Sequence, residues 1–231
     1  TIACACAGII IGSVFVSGLG LKFTQSVIDL SGGVLFILLC LTAVSAIILG
    51  MGMTTTAVYI TVAALIVPSL IESGIMPISA HMFAFYFGVV STITPPVALA
   101  SFAGAAIAKS PPMATAVESS KVGIAKYIVP FAFVYNPSLL MEGPIIWSIY
   151  SLISVLLAYW SMTLGLEGWF NGKLNVFKRT LALLSSVALL IPPLQNIYGI
   201  DGLYINFLGI FILVIIYYLQ GKLSFNMKVT T

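Results

Sequence analysis

Apolar residues run through this chain in long blocks separated by short polar breaks, and the block lengths set the elements. A helix that crosses a bilayer needs about 20 predominantly apolar residues. Ile2–Leu21 is the first such block. Gly33–Leu70 is apolar for so long that a single helix would measure about 57 Å against a hydrocarbon layer of about 30 Å. The segment must therefore fold back. Gly50-Met51-Gly52-Met53-Thr54-Thr55-Thr56 supplies the turn: glycine permits the reversal and threonine can cap the second arm. The pattern predicts a helical hairpin, 34–70, with arms 34–49 and 55–70. A broken helix over 77–108 comes next. Apolar residues Met82–Val90 and Val97–Ala108 flank Ser91-Thr92-Ile93-Thr94-Pro95-Pro96. Two successive prolines remove two backbone donors, and each pushes its predecessor out of the helical region. Ser110–Ser120 reads as a loop leading into a short interfacial helix. Further spans are predicted at 124–141, 145–164, 181–195 and 203–219, with a polar loop over 165–179 and a polar tail over 225–231.

Composition turns this pattern into a class. Hydrophobic residues make up 61% of the 231 and charged residues 6%, with a mean hydropathy of +1.18; a soluble domain is about 25% charged. The expected fold is an all-α polytopic membrane protein whose solvent is the lipid bilayer. Two domains are expected: residues 1–141, carrying the first helix, the hairpin, the broken helix and the helix 124–141, and residues 142–231, carrying C-terminal transmembrane helices and a short tail. The chain opens on Thr1 directly before an apolar block, with no initiator Met and no signal peptide, so it reads as the C-terminal piece of something longer. Cys4, Cys6 and Cys40 lie in apolar runs without His or acidic neighbours and read as small core residues. No phosphate-cradling loop, nucleophile–base pair or metal-ligand spacing is present. Enzymatic activity, ATP as energy source, an organic cofactor and a nucleic-acid partner are not expected.

Charge placement predicts orientation. If the hairpin re-enters from one side, Lys22, Glu72, Glu142 and Asp201 share that side. Every other basic residue, Lys109, Lys121, Lys126, Lys173, Lys178, Arg179, Lys222 and Lys228, falls on the opposite side, which the positive-inside rule makes cytoplasmic. Trp147, Trp160, Trp169, Tyr150 and Tyr159 sit near span ends as interfacial anchors. Glu118 and Lys121 form an i, i+3 pair on a solvated face. His81, without a second His, reads as a helix-packing residue, and Asn136-Pro137 as a helix end or kink.

The two breaks carry the chemistry. Unpaired backbone groups in hydrocarbon cost several kcal/mol, so such breaks persist where protein or ligand satisfies them. A half-helix ending near Thr92 offers carbonyls of partial negative charge, and Ser91, Thr92 and Thr94 add hydroxyls; these suit a hard monovalent cation. The second half-helix, with Thr94 as N-cap and Pro95 at its first position, offers N–H groups to a carboxylate. The hairpin tip repeats the set, with carbonyls of Gly50 and Met51 and hydroxyls of Thr54, Thr55 and Thr56. Two such tips face to face would place Na⁺ among Gly50, Met51, Thr54, Ser91, Thr92 and Thr94, and an anion beside Thr55, Thr56, Pro95, Pro96 and Val97. The alternative is that both breaks are structural kinks held by neighbouring helices. In this reading no basic residue lies at membrane depth, so substrate charge must meet helix N-termini, hydroxyls or residues outside this piece.

Several ordered motifs then point to one family. Leu49-Gly50-Met51-Gly52-Met53-Thr54-Thr55-Thr56-Ala57-Val58-Tyr59, Ala80-His81-Met82-Phe83-Ala84-Phe85-Tyr86-Phe87-Gly88, Ser91-Thr92-Ile93-Thr94-Pro95-Pro96-Val97-Ala98-Leu99-Ala100, Val129-Pro130-Phe131 and Tyr135-Asn136-Pro137-Ser138-Leu139-Leu140 resemble the large membrane subunit of tripartite ATP-independent periplasmic (TRAP) transporters. Residues 145–231 resemble the extra C-terminal helices of the fused permease subclass. The resemblance implies the second inverted repeat of an elevator-type Na⁺ symporter for organic anions in the bacterial inner membrane. It also implies a periplasmic solute-binding protein as partner, and an N-terminal half and small-subunit-like helices of the same permease. Its Na⁺ ligands map onto Gly50–Thr56 and Ser91–Val97. The family commonly has proline where this chain has Thr54. Other readings are a divalent-anion/Na⁺ symporter without a binding protein and a non-transporting membrane anchor module.

The orientation has a direct test. With single cysteines at 173 and 201 in the full-length protein, a membrane-impermeant thiol reagent added outside cells should label position 201 and leave 173 unmodified. The reverse pattern would overturn the assigned sidedness.

Overall fold

Runs that are apolar on every side favour helices, because only a helix pairs all of its own backbone groups without water. The computed structural model describes residues 9, 12–13, 16–51, 54–170, 172–197 and 200–229, and among these helix dominates. The sheet features among the described residues are a two-residue antiparallel pairing of Asn196–Ile197 (β1) with Ile200–Asp201 (β2) and an isolated antiparallel bridge between Trp169 and Lys173. The chain divides into two compact units, residues 1–134 and 135–231.

The first unit opens with α1 (Leu19–Ser31), which ends where Gly32 and Gly33 adopt left-handed φ values of 57° and 77°. Most of the span expected over Ile2–Leu21 lies outside the described residues, as do Cys4 and Cys6. The hairpin comes next as α2 (Leu35–Gly50) and α3 (Thr55–Leu65). The second arm is interrupted at Ile66, and α4 (Val67–Glu72) completes it. The expected arm ran unbroken to residue 70; Pro68, at the start of α4, cannot donate the helical bond that would cross the joint. Then come α5 (Pro77–Val90), α6 (Leu99–Ala108), α7 (Pro112–Val122) and α8 (Ala125–Tyr135). Lys109, at φ 53°, turns the chain between α6 and α7. The segment expected as a loop over 110–120 is therefore mostly helix.

Helical spacing sorts the core of this unit. Leu39, Ala43, Ala46 and Gly50 face inward on α2, Val58, Val62 and Leu65 on α3, and Ala80, Phe83, Ala84 and Phe87 on α5. Phe131 of α8 stacks edge-on to Phe83 at 5.3 Å and to Phe87 at 5.9 Å. The Phe133 carbonyl would ordinarily accept from residue 137, but that residue is proline. Ser79 Oγ donates to it instead, at 3.1 Å.

The second unit contains a 3-10 turn (Pro137–Leu140), α9 (Ile145–Glu167), α10 (Val176–Leu190) and α11 (Gly202–Val229). Among the described helices, α9 alone is long and apolar enough to cross a bilayer by itself; α2, α3, α5, α6 and Gly202–Tyr218 are shorter apolar helices. Four boundaries differ from expectation. The span expected to 141 ends at Tyr135, before Asn136-Pro137. The polar loop shrinks to 168–175, because α9 runs on to Glu167 and Asn175 starts α10 by accepting from Val176 N at 2.7 Å. α10 closes at Leu190, ahead of Pro192-Pro193. α11 continues to Val229, through most of the expected tail.

Small and hydroxyl residues let these helices approach closely, as they do in bilayers. Ser154 donates to Leu189 O at 2.8 Å, Ser161 to Ala182 O at 2.8 Å and Ser185 to Gly209 O at 2.7 Å. Arg179 caps the end of α9, its Nε reaching Gly165 O at 2.9 Å and its guanidinium NH₂ reaching Leu166 O at 2.7 Å. A Cβ on Gly209 would lie 2.9 Å from Leu189 Cγ and 3.2 Å from Ser185 O. Gly209→Val should therefore lower stability by about 1–3 kcal/mol through overpacking, read as a lower thermal midpoint of the purified protein. Val187→Ala, on an exposed face, should leave the midpoint nearly unchanged.

Candidate functional site

The hairpin tip and the broken helix meet through a glycine and a serine. Gly50 ends α2, and a Cβ there would collide with Cβ and Oγ of Ser91. Glycine is thus required by close approach, and its absent side chain lets the end of one helix rest on the end of another. Gly88, one turn earlier on α5, plays the same part against α3: a Cβ on it would stand 3.1 Å from Val58 Cγ1. Val58 is fully buried and Ser91 nearly so.

The hydroxyls of the break all turn back toward the helix they leave. Ser91 Oγ donates to Gly88 O at 2.6 Å and Thr92 Oγ1 to Val89 O at 2.7 Å. Thr94 Oγ1 reaches Val90 O at 2.7 Å and Tyr127 Oη at 2.6 Å. Each hydroxyl has one proton and two lone pairs, so a hydroxyl that donates backward keeps its lone pairs for an incoming donor or cation. Ser91 Oγ also lies 3.3 Å from Gly50 O.

The carbonyls of the break are paired within the first unit. Ser91 O accepts from Thr94 N at 3.4 Å, Thr92 O from Ala100 N at 3.0 Å and Thr94 O from Ala98 N at 3.2 Å. Ile93 O accepts from Ser120 Oγ at 3.0 Å, which brings α7 onto the break. Ala98 holds φ 27°, ψ 54°, a left-handed conformation that costs a non-glycine residue about 1–2 kcal/mol. The Pro95–Pro96 peptide is cis.

Two capping expectations are corrected. Thr94 is not the N-cap of the second half-helix. The helix resumes only at Leu99, after Ala98, and the Thr94 hydroxyl is engaged with Val90 and Tyr127. Two prolines in succession lengthen the break, since each pushes the residue before it, Thr94 and Pro95, out of the helical region. Thr54 does occupy the N-cap position of α3, with extended backbone, but its side chain makes no capping bond. Thr55 and Thr56 form the first turn of α3; Thr54 and Thr56 are exposed and Thr55 half-buried. Pro95, Pro96 and Val97 lie in the break, with Pro96 exposed and the other two half-buried. Met51 comes after Gly50 in extended conformation, and Gly52 and Met53 lie outside the described residues.

Several participants carried no signal in sequence. Tyr127 and Ser120 reach the break from α8 and α7 through side chains set 33 and 27 residues away. Ser101, in the first turn of α6, buries a hydroxyl that has no partner. His81 accepts or donates a 3.0 Å bond with Tyr59 Oη, joining α5 to α3. Lys126, exposed at the start of α8, lines a cavity with Val89 and Val90 at the end of α5. No cluster of three metal-ligating residues occurs among the described residues.

A helical hairpin docked by its tip on an interrupted apolar helix defines a helical membrane protein whose irregular backbone is concentrated at one place. The chain belongs to a family with that character: residues 1–147 match the DctM component of the tripartite ATP-independent periplasmic transporters. That family is one of transporter permease components in the inner membrane, not of enzymes. No curated protein and no solved structure matches the chain significantly.

The Gly50–Ser91 contact makes a paired prediction. Gly50→Ala alone should destabilise the protein by about 1–3 kcal/mol, and adding Ser91→Gly should recover most of the loss. Thermal or denaturant unfolding of the four members of the cycle measures this; strictly additive effects would show that the two positions do not press on each other.

Proposed function

We propose that this chain supplies the second inverted repeat of an elevator-type permease that imports organic anions with Na⁺. Its partners in this reading are a periplasmic solute-binding protein that delivers the anion, and the N-terminal half and small-subunit-like helices of the same permease. Residues 142–231 are the additional helices of the fused subclass. Membership of the DctM family supports the permease role.

One observation carries the Na⁺ reading. Ser91 has a single proton and two carbonyls in reach, Gly88 O at 2.6 Å and Gly50 O at 3.3 Å. The shorter bond takes the proton. Ser91 Oγ and Gly50 O then face each other as two oxygens with no hydrogen between them, a repulsive arrangement unless a cation joins them. Oxygen ligands of Ca²⁺, whose radius is close to that of Na⁺, stand at about 2.3–2.6 Å, and adjacent ligands of an octahedral shell are then about 3.4 Å apart. The 3.3 Å separation is compatible with that spacing. This reading assigns Met51 O, the hydroxyls of Thr92 and Thr94, and Thr54 as the remaining ligands. The carboxylate of the substrate is assigned to the helix starts beyond, at Thr55, Thr56, Pro95, Pro96 and Val97, where the unpartnered Ser101 hydroxyl adds a buried donor.

The cation can be tested without knowing the substrate. A ligand that binds only the folded protein raises its unfolding midpoint. Replacing KCl by NaCl at constant ionic strength should raise the midpoint of the full-length permease. Ser91→Ala should require at least about fivefold more Na⁺ for the same rise, the equivalent of about 1 kcal/mol. Equal midpoints in Na⁺ and K⁺ would defeat the reading.

A further inference from the structure

The corner between α7 and α8 seats two side chains on consecutive residues of the break. Ser120 Oγ donates to Ile93 O at 3.0 Å, and Tyr127 Oη lies 2.6 Å from Thr94 Oγ1. The corner comes this close because residue 123 is glycine: a Cβ there would stand 2.7 Å from Ile93 Cδ1 and 3.0 Å from Ser119 O. The Tyr127 ring packs against the core of the first unit, which aims its hydroxyl at the break. Among the described residues, Thr94 is the one hydroxyl of the break that meets a side chain from another helix.

Proton counting gives that bond a direction. Val90 O can only accept, and it takes the Ile93 amide at 3.0 Å as well as the Thr94 hydroxyl at 2.7 Å. Thr94 has one proton. Given to Val90 O, it leaves Tyr127 to donate to Thr94 Oγ1, and both bonds form. Given to Tyr127, it would leave Val90 O with one bond fewer and the phenol proton with no partner among the described residues. The first arrangement makes one bond more, and in a chain of this kind each bond strengthens the next. Thr94 Oγ1 therefore spends one of its two lone pairs on Tyr127.

A cation drawn to Thr94 has to share that oxygen with the phenol proton. Positive charge beside Thr94 Oγ1 polarises its O–H, which strengthens donation to Val90 O and weakens acceptance from Tyr127. By linkage, the phenol bond weakens the ion as much as the ion weakens the phenol bond. We infer that Tyr127 tunes the cation site downward: its phenol donates to Thr94, braces the break when no ion is there, and lowers the affinity of the site for Na⁺. A carrier gains from this, because an ion held too firmly is not released. The inference rests on the reading of Thr94 as a Na⁺ ligand, and it adds a residue of α8 that acts through that ligand.

The test is the unfolding midpoint of the full-length permease as NaCl replaces KCl at constant ionic strength. Tyr127→Phe keeps the ring and removes the hydroxyl. Its midpoint in KCl should fall, yet it should need about two- to fivefold less Na⁺ than the wild type for a half-maximal rise, as expected when a hydrogen bond that opposed the ion is gone. A merely structural role would lower the midpoint without tightening Na⁺; Ser161→Ala, which removes a buried bond of the second unit, should behave in that way. In a Thr94→Val background there is no hydroxyl to share, so adding Tyr127→Phe should leave the Na⁺ requirement as it was. Ring-fluorinated tyrosine in place of Tyr127, a stronger donor of the same shape, should raise the requirement. A Na⁺ requirement unchanged or raised in Tyr127→Phe overturns the inference, and so does the same reduction in the Thr94→Val background; in both cases the wild-type rise still supports the cation reading. Equal wild-type midpoints in Na⁺ and K⁺ defeat that reading and this inference together, which sets the two failures apart.

Discussion

Every backbone amide and carbonyl removed from water must find a partner, and the first unit is organised around meeting that demand where its helix is cut. Between Val90 and Leu99 the ordinary i to i−4 ladder is impossible, because Pro95 and Pro96 have no N–H to give. Ala98 and Ala100 instead turn their amides back onto Thr94 and Thr92, and Ser120 crosses from α7 to take Ile93 O. Those borrowed donors dictate the positions of the surrounding helices. α7 must lie against the break for Ser120 to reach it, and α8 must pass close for Tyr127 to hold Thr94. The left-handed Ala98 is tolerated because bonds on both sides of it fix the chain. The same logic recurs at lower stakes where Ser79 serves the carbonyl that Pro137 leaves open, and where Arg179 closes the end of α9.

Glycine completes this arrangement by omission. Two helix ends with bare carbonyls would ordinarily keep apart, yet the missing side chain at Gly50 lets the hairpin tip come down on Ser91, and Gly88 does the same for Val58. The result brings a backbone oxygen from one helix end and a hydroxyl oxygen from another within 3.3 Å of each other. The irregular backbone of the first unit is thus concentrated where two helix ends meet, while the regular helices around it supply rigidity and apolar cover.

The sequence made the large features legible because they rest on local rules. Block length exposed the hairpin, and tandem prolines exposed the cut in the helix after Val90. Family membership was readable from ordered motifs that include both breaks. The features that escaped had non-local causes. Where the helix resumes depends on amides at Ala98 and Ala100 finding carbonyls upstream, which no cap signal at Thr94 encodes. Tyr127 and Ser120 are ordinary residues of apolar or polar helices until tertiary packing brings them to the break. Charge counting assigns Lys126 a side of the membrane but not its neighbours Val89 and Val90. The interruption at Ile66 had a visible cause in Pro68, but hydropathy alone runs straight through it.

That interruption gives the hairpin a wrist. α3, from Thr55 to Leu65, extends about 16 Å beyond the joint at Ile66, while α4 is anchored by buried Val67, Ser69 and Leu70. A swivel of about 10° at Ile66 carries the Thr55 end through about 3 Å, for a rod of that length. Val58, Val62 and Leu65 are buried on α3, so any such swivel would carry their packing against α5 with it. The joint at Ile66 lets the two parts of the second arm take different directions while each keeps its own buried face.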